Sequence, residues 1–191
     1  LVVWFSNGLV NGKYNDAVMS DSNGLRLTSV FQYANTYAAF LMAFLFAAVF
    51  FLIKSRKWYG QVLHGFMLVP IIVSILLTLS RGGLVMLPVV FVLLLLFLKP
   101  AKQILWVVYI GISGMASLAI SKSVTDLGLQ LNTTYEGGAA AKGWGYLLIT
   151  STIVALLLWV IQKFIVSHLE RGLAAWSNRK MASLWIPVGS V

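Results

Sequence analysis

The sequence contains two long stretches in which charged side chains are almost absent. No charged residue lies between Arg26 and Lys54, and Arg81 is the only one from residue 58 to residue 98. A transmembrane helix needs about 20 predominantly apolar residues. The first stretch is therefore long enough for one span, and the second for a hairpin of two. Because charge inside hydrocarbon is costly, this spacing of charges predicts helices that cross a membrane.

Composition excludes the other broad classes of protein. Of 191 residues, 60% are hydrophobic and 10% are charged, and the mean hydropathy is +0.90. Soluble domains carry roughly 25% charged residues, and disordered chains have low hydrophobicity, so neither class fits. The chain has no cysteine and only two histidines, His64 and His168. These counts exclude disulfides and thiolate sites, and they argue against a histidine-built metal site.

The apolar segments predict an all-α fold, a polytopic transmembrane helical bundle with about five spans. The predicted helices are separated by short polar or basic segments and cover residues 30–53, 60–79, 84–98, 103–120 and 146–166.

Three regions are expected along the chain. Residues 1–28 are polar and rich in turn dipeptides, which predicts an external segment. Residues 29–166 form the membrane domain, with an external loop at 121–145, and residues 167–191 form a basic cytoplasmic tail. The chain begins with Leu1 rather than Met, so we expect it to be a piece of a longer protein.

The distribution of Lys and Arg indicates the orientation. With five alternating helices, one side of the membrane carries the residues Lys54, Arg56, Lys57, Lys99, Lys102, Lys163, Arg171, Arg179 and Lys180. The other side carries only Lys13, Arg26, Arg81, Lys122 and Lys142. The more basic side is expected in the cytoplasm. Basic loops on the cytoplasmic side also account for the net charge of +9, so no nucleic-acid partner is expected.

Arg81 is the sharpest candidate for a functional residue. It lies in the predicted turn Ser80-Arg81-Gly82-Gly83 between two apolar helices. The glycines are expected to permit a tight turn, and the helix that begins after them offers free N–H groups to an anion. A guanidinium beside such a helix start is a suitable cradle for phosphate. The alternative is a loop arginine whose long side chain reaches lipid phosphate.

A second candidate segment leads from Arg26 into the first predicted helix. Gln32 and Asn35 are three residues apart and share one face of that helix. Asn35 is expected near the outer end of the helix, where a polar side chain can meet a sugar or a phosphate. The alternative is that both side chains hydrogen-bond to neighbouring helices.

Small residues predict where helices pack closely. Ala39, Ala43 and Ala47 recur every four residues, and a second ridge of small residues runs from Gly111 to Ser117. Such ridges allow two helix backbones to approach each other in a membrane.

The segments Arg26–Ala38 and Leu77–Leu95 together resemble the bacterial O-antigen ligase and polysaccharide polymerase family. The first contains an arginine, a short spacer and the helix entry FQYANTYA. The second is LTLSRGGLVMLPVVFVLLL, an apolar helix, a Ser-Arg-Gly turn and another apolar helix. The resemblance covers about residues 20–120.

This resemblance implies a lipid-diphosphate-dependent glycosyltransferase in the cytoplasmic membrane of a bacterium. Such an enzyme ligates or polymerises undecaprenyl-diphosphate-linked glycan at the outer face of the membrane, with lipid around it and with no nucleotide sugar, metal or other cofactor. Carried over by motif, Arg26 and Arg81 bind or activate the diphosphate leaving group, and Asn35 lines the same cavity. The other substrate-binding residues expected in these motifs are Gln32, Ser80, Gly82 and Gly83.

The predicted loop at 121–145 departs from the family pattern. Ligases of the family carry a further arginine and a histidine in a large external loop, whereas this loop contains neither. A polymerase of surface polysaccharide therefore fits better than a lipid A ligase. Glu136 is a candidate base toward an acceptor hydroxyl, with a solvated loop acid as the alternative.

A different class of function is a non-catalytic membrane protein, such as a transporter subunit or an assembly partner in polysaccharide export. Ion-coupled transporters normally place carboxylates inside their helices. None of the five Asp and Glu residues falls inside a predicted span, which argues against ion-coupled transport.

Cysteine labelling in intact cells tests the predicted orientation. The native chain has no cysteine, so only introduced thiols react. An impermeant thiol reagent is expected to label a Ser123→Cys variant and to leave a Ser55→Cys variant unlabelled until the cells are lysed. Labelling of the Ser55→Cys variant alone in intact cells would reverse the orientation.

Overall fold

The computed structural model describes residues 18–21, 24–31, 33–133, 136–166, 168 and 171. Its five helices, separated by three residues each, are α1 (Ala34–Lys54), α2 (Trp58–Leu77), α3 (Arg81–Leu96), α4 (Pro100–Thr133) and α5 (Gly137–Phe164). An antiparallel hairpin of two short strands precedes them, β1 (Val18–Asp21) and β2 (Gly24–Leu27), followed by one turn of 3₁₀ helix at Ser29–Phe31.

Four of the helices are long and apolar enough to cross a membrane: α1, α2, α4 and α5. Helix α3 is as apolar but has only 16 residues, which is about 24 Å of helix against a hydrocarbon core of about 30 Å. The fold is thus the expected all-α, multi-pass helical bundle. The β hairpin is the only sheet within the described residues.

Helix α2 lies at the centre of the bundle and contacts α1, α4 and α5. The chain crosses the bundle in alternating directions, as contacts between residues of neighbouring helices show. Phe51 of α1 stacks on His64 of α2, while residues nearer the start of α1 lie beside the end of α2. Tyr109 of α4 donates a hydrogen bond to Gln162 of α5. Consecutive helices are therefore antiparallel, and alternate connections lie at the same end of the bundle.

Helix α3 lies at the edge of the bundle, and only Gly83 and Leu95 are buried along it. An apolar cavity of about 210 Å³ separates its first half, at Leu84 and Leu87, from Ile110 of α4. Near its other end, Gln103 donates a side-chain hydrogen bond of 2.7 Å to the Leu95 carbonyl. The second half of α3 packs against the bundle, where Phe91 also stacks on Phe46 of α1, and packing beside its first half is looser.

The predicted external loop at 121–145 is wrong as secondary structure, because α4 continues to Thr133 and α5 already begins at Gly137. Hydroxyl side chains in α4 hydrogen-bond to backbone carbonyls of the same helix. Ser121 donates to the Leu118 carbonyl and Thr125 to the Ser121 carbonyl. Polar residues end the hydrophobic stretch, but without Pro they do not end the helix. The 34 residues of α4 span about 51 Å, longer than the hydrocarbon core. An external position for this end stays a prediction.

Other predicted boundaries shift by a few residues. The first helix begins at Ala34 rather than residue 30, because Ser29–Phe31 forms a separate 3₁₀ turn. Helix α3 begins at Arg81 rather than residue 84. The described part of the expected external segment contains the β hairpin. Residues 1–17 and nearly all of the expected tail lie outside the described residues.

A close contact between two helix backbones occurs at Gly65, which belongs to neither predicted ridge. A Cβ added to Gly65 would lie 3.2 Å from the Ala155 Cα, which brings α2 against α5. By contrast, Ala39 and Ala43 are exposed, and a Cβ at Gly111 would meet no atom within 4 Å. Within the second ridge, Ser117 is buried and donates to the Val69 carbonyl of α2, so spacing identified only part of the packing face.

Two glycine substitutions measure this packing. Gly65→Ala forces a methyl group against helix backbone and is expected to cost about 1–3 kcal/mol of stability, as overpacking does. Gly111→Ala is the matched control in a long helix, where alanine is favoured over glycine by roughly 0.5–1 kcal/mol. Thermal unfolding in detergent should therefore rank the control at or above the native chain and Gly65→Ala below it. The opposite ranking would contradict the α2–α5 contact.

Candidate functional site

The candidate site is built around the turn between α2 and α3, residues 78–80. Thr78 and Ser80 are fully buried, and the Thr78 hydroxyl donates to the Ile75 carbonyl at 2.6 Å, closing the end of α2. Leu79 between them has a φ of 47°. Left-handed backbone is unfavourable for a leucine and is found where the surroundings enforce it. The chain thus reverses direction at Leu79.

Ser80 caps the start of α3. Its hydroxyl oxygen accepts a hydrogen bond of 3.0 Å from the Gly83 N–H, and its carbonyl accepts one of 2.9 Å from the Leu84 N–H. Serine is among the most favourable capping residues. Arg81 and Gly82 therefore occupy the first turn of a helix, where backbone N–H groups have no acceptor within the helix.

The prediction that Gly82 and Gly83 form the tight turn is wrong, because both are helical and Leu79 makes the turn. Gly83 has a different function in the fold. A Cβ at this position would lie 2.9 Å from the Ala38 Cβ, so glycine allows α3 to approach α1. A Cβ at Gly82 would meet no atom within 4 Å.

Two contacts bring other elements to this turn. The Ser80 hydroxyl donates to the Asn35 Oδ1 at 2.8 Å, which joins the turn to the start of α1. Arg26 of β2 donates from its Nε to the Thr78 carbonyl at 3.0 Å, a contact between residues 52 positions apart. Carbonyls at the end of a helix lack partners within the helix, and Arg26 supplies one here.

A cavity of about 270 Å³ lies where these elements meet, lined by Arg26, Asn35, Leu79, Arg81 and Gly82. The structure therefore brings both candidate arginines and Asn35 together at one end of the bundle. Small-molecule sites usually measure about 300–1,000 Å³. This cavity is large enough for an anionic group but not for a whole glycan.

Among the described residues, the polar side chains that line the cavity belong to Arg26, Asn35 and Arg81. Two guanidinium groups and the backbone at Gly82 carry N–H groups, and Asn35 has its amide oxygen engaged by Ser80. No carboxylate side chain lines the cavity in the described part of the chain. Cationic and N–H donors at a helix start favour an anion with several oxygens, such as phosphate.

Among the other predicted site residues that the structure describes, Ser80, Gly83 and Glu136 do not line this cavity. Gln32 lies outside the described residues. Glu136 is exposed, precedes α5 and accepts a hydrogen bond of 2.8 Å from the Gln130 amide. It does not line the cavity. Among the described residues, no three His, Asp or Glu side chains are grouped so that they can hold a metal ion.

Sequence reasoning missed Thr78 and Leu79, which the site needs for its shape. The pattern Thr78-x-Ser80 before an apolar helix carried a usable signal, since Ser and Thr mark helix ends and starts. No sequence signal indicated the Arg26–Thr78 contact, because it joins a side chain to a backbone carbonyl 52 positions along the chain.

Comparison with known proteins gives no relative: no family model, no curated protein and no solved structure matches this chain. Function is therefore inferred from the geometry of the cavity and from the resemblance of the motifs.

Proposed function

We propose that the chain belongs to an integral membrane glycosyltransferase of the O-antigen ligase and polysaccharide polymerase type. It transfers glycan from an undecaprenyl-diphosphate donor at the outer face of the bacterial cytoplasmic membrane. One observation carries the proposal: Arg26 and Arg81, from two motifs about 55 residues apart, line one cavity with Asn35.

The chemistry of glycan transfer requires such a cavity. An acceptor hydroxyl attacks the anomeric carbon of the donor and releases its proton to water, and the bond from that carbon to the phosphate oxygen breaks. Undecaprenyl diphosphate leaves with the electron pair, so negative charge grows on its oxygens in the transition state. Guanidinium groups already directed at that charge stabilise the transition state more than the substrate. Arg81 and Arg26 are proposed in this role.

The position of the cavity in the membrane supports an extracytoplasmic reaction. The cavity lies at the end of the bundle where α2 ends and α3 begins. The connections at the opposite end, between α1 and α2 and between α3 and α4, carry exposed Lys and Arg side chains. The positive-inside rule assigns that opposite end to the cytoplasm. A lipid-linked donor then presents its diphosphate to the cavity at the outer interface.

Substitution of Arg81 in the full-length protein tests this function. Lysine keeps the positive charge but lacks the planar fork that grips two phosphate oxygens. Removing one donor to a developing charge typically lowers the rate by about 10²–10³. Arg81→Lys is therefore expected to abolish most polymer formation at normal expression, measured as the chain-length distribution of the surface glycan.

Arg56→Lys is the matched control, because Arg56 is also exposed but lies at the other end of the bundle. It should give the native glycan ladder. Native ladders from both Arg81→Lys and Arg81→Ala would instead assign Arg81 to membrane orientation. That result would favour a non-catalytic membrane protein.

A further inference from the structure

We propose that Ser80 is a positioning residue that holds the Asn35 amide with its NH₂ group available to an anion in the cavity. This inference rests on the proposed function, since it specifies how the same cavity selects a phosphate group. Ser80 does not line the cavity and acts through Asn35.

The direction of the Ser80–Asn35 hydrogen bond follows from the chemistry of a hydroxyl. A serine hydroxyl has one hydrogen to donate. The Gly83 N–H, which is only a donor, takes an acceptor position on the Ser80 oxygen at 3.0 Å. The hydroxyl hydrogen is then available for Asn35, whose Oδ1 lies 2.8 Å away. Because Ser80 is fully buried, water does not compete for this hydrogen.

Orientation of the Asn35 amide follows from that bond. Its oxygen is engaged by Ser80, so the NH₂ group is what Asn35 offers to a ligand in the cavity that it lines. With the amide reversed, a carbonyl oxygen would face the phosphate oxygens and repel them. By donating to the Asn35 oxygen, the buried hydroxyl favours the orientation that presents the NH₂ group to the cavity.

Ser80 also fixes the distance between the two walls of the cavity. The same oxygen that contacts Asn35 on α1 caps the turn of α3 that begins with Arg81. One hydroxyl therefore links the amide on α1 to the guanidinium and the backbone N–H of α3. The close approach of Gly83 to Ala38 keeps this link short.

Pyrophosphate binding to the purified chain in detergent tests the inference, with inorganic pyrophosphate as the probe and calorimetry as the measurement. Ser80→Gly removes the hydroxyl, yet glycine at a helix start costs little. It is expected to weaken binding roughly tenfold, the effect of losing one hydrogen bond to a charged group. Ser80→Thr keeps both hydroxyl functions and is expected to bind as the native chain does.

Asn35→Leu removes the amide without changing the cap of α3, so it tests the inference even if Ser80→Gly fails to fold. It is expected to lose the same factor of roughly ten. Since Ser80 acts through Asn35, the double variant should bind no more weakly than Asn35→Leu alone. If the loss of pyrophosphate affinity in the double variant equals the product of the two single losses, Ser80 acts independently of Asn35. That result would overturn the positioning role.

Two further outcomes separate this inference from the proposed function. If the native chain binds pyrophosphate and Ser80→Gly or Asn35→Leu binds it equally well, only the positioning role of Ser80 is wrong. If the native chain does not bind pyrophosphate, the anion site fails, and the proposed function fails with it.

Discussion

The exclusion of charge from hydrocarbon determines where this chain can place its functional groups. Arg26 lies in β2 before the first span, and Arg81 is the first residue of α3, so neither lies within the hydrophobic length of a helix. Because α1 and α2 cross in opposite directions, the chain returns Arg81 to the end from which Arg26 started. An arginine pair distant in sequence thus meets in one cavity, and no charged side chain is buried among the residues that the structure describes.

The apolar pattern predicted the architecture well, because the membrane constrains the length and composition of every span. It did not predict where helices end outside the hydrocarbon. At Ser121 and Thr125 the chain becomes polar but stays helical, since both hydroxyls bond to carbonyls of the same helix. Hydropathy marks the edge of the membrane, whereas caps and prolines mark the end of a helix.

For the candidate site, the sequence indicated three residues that the structure brings together, but not how they are held in place. Arg26, Asn35 and Arg81 were distinguished by charge, spacing and motif resemblance. Their support comes from contacts that leave no periodic pattern: a left-handed Leu79, the Thr78 carbonyl that accepts from Arg26, and the buried Ser80 hydroxyl. Such contacts depend on two helices meeting, and local sequence does not encode that meeting. Gly65 and Gly83 are further examples, because each is required by a neighbouring helix and not by the local sequence.

Arginine modification by phenylglyoxal, measured residue by residue with mass spectrometry, tests most directly whether Arg26 and Arg81 bind one anion. The predicted result is that inorganic pyrophosphate slows modification of both residues with the same concentration dependence, because one ligand occupies both guanidinium groups. Arg56, exposed at the other end of the bundle, should react at an unchanged rate. Protection of neither arginine, or equal protection of Arg56, would contradict a shared anion site.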